Sequence, residues 1–200
     1  MSITSLLAYA LALTLAAATP GPAMLAVVGR GLSSGARPAL MMAGGVAVAD
    51  VLLGAFALLG LAALMAAFSW LFAVVKYVGA AYLVWLGIRM WRAPLRLKAA
   101  SNNHKRRDVL LGMAIALSNP KAILFHASLM PLLIDLRLLD GRSAIAILAI
   151  ILAVNLIVMS AYALVAGRGS TWFRTPSRMR WLNRVGGGSM IGAGAIVAAR

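Results

Sequence analysis

Asp50 and Lys121 are the two charged side chains that fall deep inside apolar stretches of this 200-residue chain. A carboxylate and an ammonium in such positions can hold a zwitterionic solute, pass a proton, or tie two helices together. On insertion scales each charge costs roughly 2.5–3.5 kcal/mol at the centre of a membrane helix, so both are expected to face a protein interior and to pair there. Two helix-breaking stretches stand 100 residues apart: "ATPGPA", with Thr19, Pro20, Gly21 and Pro22, and "SNPK", with Asn119, Pro120 and Lys121. Proline has no N–H and leaves the carbonyl one turn earlier without its donor. In lipid such a carbonyl must be met by protein, ion or water. The breaks therefore mark either a midplane binding site or kinks needed for packing.

The remaining polar candidates are fewer. Asn155, in another apolar stretch, fits a solute ligand or a plain hydrogen bond between helices. His126 follows Lys121 by about a turn and a half and could titrate near neutrality, but with no carboxylate nearby in sequence it reads first as a packed residue. His104 sits in a basic loop and reads as solvated. The chain has no cysteine, which excludes thiolate chemistry and disulfide exchange. It offers neither a clustered metal-ligand set nor a nucleophile beside a base, so the expectation is no cofactor, no metal and no enzyme.

Positioning these residues is the work of membrane helices. Hydrophobic residues make up 63% of the chain and charged ones 12%, more apolar surface than a soluble domain of this length can hide. Stretches of about 20 apolar residues predict six spans, over 3–28, 39–68, 70–88, 109–134, 143–166 and 181–199. Asp50 is then about 17 Å into the second span at 1.5 Å per residue. The first stretch resembles a cleaved signal, but "MSIT" lacks the basic start of one, and it is kept as a helix.

The 19 basic residues set the orientation. The first loop takes Arg30 and Arg37. The third takes Arg89, Arg92, Arg96, Lys98, Lys105, Arg106 and Arg107, and the fifth Arg168, Arg174, Arg178, Arg180 and Arg184. Opposite them stand Lys76, Arg137, Arg142 and Arg200. Cytoplasmic flanks are enriched in Lys and Arg, so the odd loops face the cytoplasm and both termini face outward. The net charge of +15 then reflects topology and contact with anionic lipids, with no nucleic acid implied.

Pro20 and Pro120 occupy corresponding depths. "KYVGAAYLVWLG" is echoed by "NRVGGGSMIGAG", where Gly79 and Gly87 match Gly186 and Gly194. The expected architecture is all-α: one membrane domain over 1–200, with a first repeat at about 1–92, a basic loop at about 93–108 and a second repeat at about 109–200. Three helices per repeat forces the repeats to insert in opposite senses, a plan that puts a solute site where broken helices meet. Gly45 with Ala49, and Gly188 with Gly192, form small-residue faces for close contact, within the chain or between subunits of a homo-oligomer.

The stretches "TPGPAMLAVVGRGLSSGARPAL", "GGVAVAD", "VKYVGAAYLVWLGIRMWR" and "SNPKAILF" resemble the LysE/RhtB family of bacterial amino-acid exporters over essentially the whole chain. The resemblance implies efflux of an amino acid or derivative across the inner membrane, driven by the proton gradient or by exchange, without a bound cofactor. It carries a substrate role to Thr19, Pro20, Gly21, Pro22, Asn119, Pro120 and Lys121, and proton coupling to Asp50. Three positions depart from the pattern. Ala23 replaces a usual Asn or Asp, Ala49 a usual glycine, and Pro131 lacks its usual polar neighbour. An apolar Ala23 together with His126 implies a less polar or differently charged solute. The alternatives are a cation or metal exporter of related architecture and a non-transporting membrane protein.

Overall fold

The computed structural model describes residues 3–67, 69–92, 105–135, 139–169 and 175–199. Every regular element among them is helical: α1 (Ile3–Ala18), α2 (Pro22–Ser34), α3 (Ala36–Ala67), α4 (Ser69–Arg92), α5 (Lys105–Leu117), α6 (Pro120–Leu124), α7 (Met130–Leu133), α8 (Gly141–Gly167) and α9 (Pro176–Ala199), with a π-helical turn at Phe125–Leu129 joining α6 to α7. Among the described residues two helices are long and apolar enough to cross a membrane, or four if each bent pair counts as one span. The basic stretch at 93–104, including Arg96, Lys98 and His104, lies outside the described residues.

The first expected span is a broken one. α1 stops where Pro20 and Pro22 withhold their N–H groups, and α2 leaves at a 53° bend with Pro22 in its first turn. Gly21 between them is simply extended, at φ −163° and ψ 176°. α2 then runs on to Ser34, well past the expected end near residue 28. Arg30 is accordingly a buried helix residue and not part of a loop. The fourth span breaks in the same way: α5 and the α6 to α7 segment meet at 54°. α5 begins at Lys105, so Asp108, expected at the end of the basic loop, is also helical and buried. At α8 the Asp140 side chain accepts from the Ser143 N–H at 2.9 Å, a conventional N-cap. Hydrogen bonds from the Ser143 side chain and from its N–H hold the exposed Asp140 carboxyl below its usual range.

Close helix crossings explain several glycines. A Cβ on Gly45 would run into the Val109 carbonyl, and one on Gly112 into the Met42 carbonyl, so α3 and α5 touch backbone to backbone. The small face at Gly45 thus works inside the chain. α4 and α9 meet reciprocally, since a Cβ on Gly87 would stand 2.6 Å from the Gly187 oxygen and one on Gly187 2.5 Å from the Gly87 oxygen. Of the other small face, Gly188 stands against the Trp91 ring and Gly192 has open space around it within the chain.

Two apolar clusters hold the helices together. One gathers Met24, Val27, Met42, Val46, Ala116 and Met159, and the other Tyr9, Leu13, Leu58, Phe125, Ile147 and Ile151. Outward faces are also apolar: Ile3, Leu7, Leu11 and Leu15 repeat every fourth residue along α1 and are all more than half exposed. Meanwhile Arg30, Asp50, Asp108, Lys121, His126 and Asn155 are all buried. Apolar outside and charged inside is the arrangement a hydrocarbon solvent selects.

Candidate functional site

The two broken helices meet at one cavity. It is lined by Thr19 and Gly21 from the first break and by Asn119 and Lys121 from the second, with Asp50 from α3 and Asn155 from α8. Leu13, Ala23, Met24, Val46, Phe125, His126 and Met159 also line it, with small alanines between them. Six of the nine sequence-predicted residues are therefore brought together around one space. Pro20 and Pro22 act through the backbone and are not among the lining residues, and Pro120 opens α6. About 40 Å³ is open to the centres of water molecules.

The freed carbonyls of α1 have found donors from elsewhere. Pro22 cannot donate to the Ala18 carbonyl, and the Tyr162 hydroxyl of α8 does so at 2.7 Å. The next carbonyl, of Thr19, accepts from Lys121 Nζ at 2.7 Å. Thr19 turns its own hydroxyl back to the Leu15 carbonyl at 2.6 Å. At the second break Asn119 serves as the N-cap of α6, its Oδ1 accepting from the Lys121 N–H at 3.1 Å. The cost of each break is thus met by a named group, and Lys121 bridges one break to the other.

The expected pairing of Asp50 with Lys121 is not formed. Lys121 is drawn to the bare Thr19 carbonyl, and Asp50 finds its partners on the other side. Its Oδ2 accepts from Asn155 Nδ2 at 2.7 Å, and His126 Nε2 lies 3.5 Å from the same oxygen. That separation suits an ion pair, but the imidazole makes no hydrogen bond there. Asn155 Nδ2 also donates to the Ile151 carbonyl at 3.0 Å, which fixes the amide for Asp50. Behind the imidazole, Nδ1 stands 3.2 Å from the Tyr9 hydroxyl.

Sequence reasoning undervalued three groups. His126 was read first as packing because no acid is near it in sequence, yet Asp50 comes to it from α3. Tyr162 was legible in principle: Asn155, Met159, Tyr162 and Ala166 follow a helical repeat, and Pro22 announces a carbonyl in need of a donor. The ion pair of Arg30 with Asp108, its Nε 2.9 Å from Oδ1 and its Nη2 3.1 Å from Oδ2, joins α2 to α5 beyond the cavity. Asp108 sits four residues before Gly112, on the face that α5 presents inward. That spacing was the available signal.

The family model described as LysE type translocator matches residues 14–200. The chain belongs to this family. It is 34% identical over 206 aligned residues to an uncharacterized membrane protein of Vibrio cholerae, covering 99% of this chain and 98% of that protein. It is 31% identical to a homoserine/homoserine lactone efflux protein of Salmonella typhimurium, over 96% of this chain and 94% of the relative. A leucine efflux protein of Klebsiella pneumoniae is also 31% identical, over 86% and 82%. No solved structure matches the chain. The chain is therefore a membrane protein of a transporter family, as its motifs imply, and its relatives carry names of amino-acid efflux.

Proposed function

We propose that the chain exports an amino acid or amino-acid derivative from the bacterial cytoplasm across the inner membrane by proton antiport, through the cavity between its two broken helices. The observation that carries this reading is the meeting of Lys121, Asp50 and two helix breaks in one buried space. Lys121 and the N-terminus of α2, whose first-turn N–H groups have no partner within the helix, suit the solute carboxylate. Asp50, steadied by Asn155, suits its ammonium. Met24, Val46, Phe125 and Met159 leave an apolar surface for a neutral side chain. Thr19, Gly21 and Asn119 complete the site as backbone turn and cap, and Pro20, Pro22 and Pro120 create it. Loading the site from one side and emptying it to the other requires the helices to part around the breaks, which is the motion alternating access needs.

Six spans in two inverted three-helix repeats remain the architecture we infer. The reading is supported by bends of 53° and 54° at Pro20 and Pro120. It is supported too by the reciprocal contact of Gly87 with Gly187, which are separated by the same 100 residues as the two prolines. With Arg30 withdrawn from the loops the basic bias still favours cytoplasmic odd loops and outward termini. Because the natural chain has no cysteine, single cysteines can test this directly. Ser101→Cys should resist an impermeant thiol reagent in intact cells while Ser2→Cys reacts. The opposite pattern would reverse the orientation.

The function itself is tested with vesicles containing the purified protein and preloaded with single solutes, among them homoserine, homoserine lactone, leucine and other neutral amino acids. An inward proton gradient should speed the exit of at least one of them over protein-free vesicles. If every solute leaves at the protein-free rate, amino-acid export is excluded.

A further inference from the structure

His126 is placed by a local departure from the α-helix. Lys121, Phe125 and Ser128 follow ordinary α spacing, and His126 would lie off their face. The π-helical turn at Phe125–Leu129, closed by the Met130 N–H donating to the Phe125 carbonyl five residues back, brings Phe125, His126 and Ser128 inward together. Such turns inside α-helices occur mostly where function uses the displaced side chain. The imidazole is 1% exposed and packs edge-on to the Phe125 ring at 5.5 Å between centroids. Its Nε2 has no hydrogen-bond partner and stands 3.5 Å from Asp50 Oδ2, on the wall of the cavity. A buried polar atom left without a bond is uncommon enough to ask what fills it in another state.

We propose that His126 is the second protonatable group of the coupling site. The inference rests on the reading of Asp50 as the coupling acid. A proton arriving at Asp50 passes from the carboxyl to the bare Nε2 of a ring whose Nδ1–H donates to the Tyr9 hydroxyl, leaving carboxylate and imidazolium facing each other. The imidazolium and the ammonium of the solute are then two cations competing for one carboxylate. A carboxylate neutralised by one of them attracts the other only weakly, so proton and solute disfavour each other's binding, which is the condition for antiport. Among the described residues, the titratable or charged groups around this imidazole are Tyr9 from α1, Asp50 from α3 and Lys121 from α6. α8 brings the neutral Asn155 to the cavity. α4 and α9 also pack on the π-helical turn, and their described arginines, Arg89, Arg92, Arg178, Arg180 and Arg184, are all exposed.

The decisive measurement is nitrogen NMR of the full chain in lipid nanodiscs, labelled at histidine and carrying His104→Gln so that His126 is the only histidine. With Asp50 intact, the spectrum should show imidazolium at about pH 5.5 and a neutral ring protonated on Nδ1 at about pH 8. In Asp50→Asn the ring should stay neutral at about pH 5.5, because a buried imidazolium would have no counter-ion. A neutral ring at both pH values with Asp50 intact overturns the proposal. So does imidazolium in Asp50→Asn at the same pH. If Asp50→Asn does not accumulate, His126→Gln supplies the second arm: its efflux should lose its dependence on the proton gradient, and unchanged gradient-driven efflux refutes the role. The spectra need no transported solute. An amino-acid panel without a hit would therefore count against the proposed function, and a ring that never charges would count against His126 alone.

Discussion

Asp50→Asn should reduce efflux driven by a proton gradient to the rate of protein-free vesicles while the protein still inserts and folds. The substitution is nearly isosteric, and the carbonyl of the new amide can accept from Asn155 Nδ2 as Oδ2 does now at 2.7 Å. Fold and packing should therefore survive. An amide, however, cannot carry a proton, and it gives neither an imidazolium nor a solute ammonium a counter-charge. Exchange of solute between compartments at equal pH should persist at higher solute concentration, since Lys121 and the N-terminus of α2 remain for the carboxylate. Gradient-driven efflux at the full rate from Asp50→Asn would remove Asp50 as the coupling acid. The pairing seen around it sharpens the expectation. Lys121 bonds to the Thr19 carbonyl and not to Asp50, so a merely structural role for Asp50 in holding Lys121 has no contact to rest on. Asp50→Asn with Lys121→Met should consequently be no better folded than Asp50→Asn alone, and thermal melts in detergent check this.

Much of this arrangement was legible because it follows from local chemistry. Proline positions forced the two breaks, and the apolar lengths around them forced helices. Asp50, Lys121 and Asn155 were marked as inward-facing by the cost of exposing them to lipid. What could not be read was which inward group meets which. The choice of Lys121 between Asp50 and the Thr19 carbonyl depends on how α1 and α6 approach across 102 residues of sequence, and no spacing rule spans that distance. Boundaries failed for a related reason. Arg30 and Asp108 were assigned to loops because each is charged and lies near other basic residues, and charge near a span end ordinarily means water. Each is instead neutralised by the other, which sequence separation hides. The π-helical turn left no signal in "FHASL", since its cause is the fit of Phe125 and His126 against Tyr9 and Asp50 and not the propensity of those residues.

The ion pair of Arg30 with Asp108 carries the other large expected effect, this one on stability. Both side chains are almost fully buried, and the guanidinium reaches the carboxylate through two nitrogens, while Nη1 donates to Ser34 Oγ at 3.0 Å. Removing one member leaves its partner as an uncompensated charge between α2 and α5, at a cost of about 3–5 kcal/mol. Arg30→Met should thus lower the thermal midpoint of the purified protein by on the order of 10 °C for a chain of this size. Replacing both groups with apolar side chains, as in Arg30→Met with Asp108→Leu, removes the orphaned charge and should recover most of that loss. Recovery in the double variant distinguishes charge compensation from simple loss of packing, because a packing defect at Arg30 would deepen when Asp108 is changed as well. A midpoint for Arg30→Met within about 1 °C of the parent, a shift worth well under 1 kcal/mol, would show that water reaches the pair and that α2 and α5 are held together by the apolar contacts around them alone.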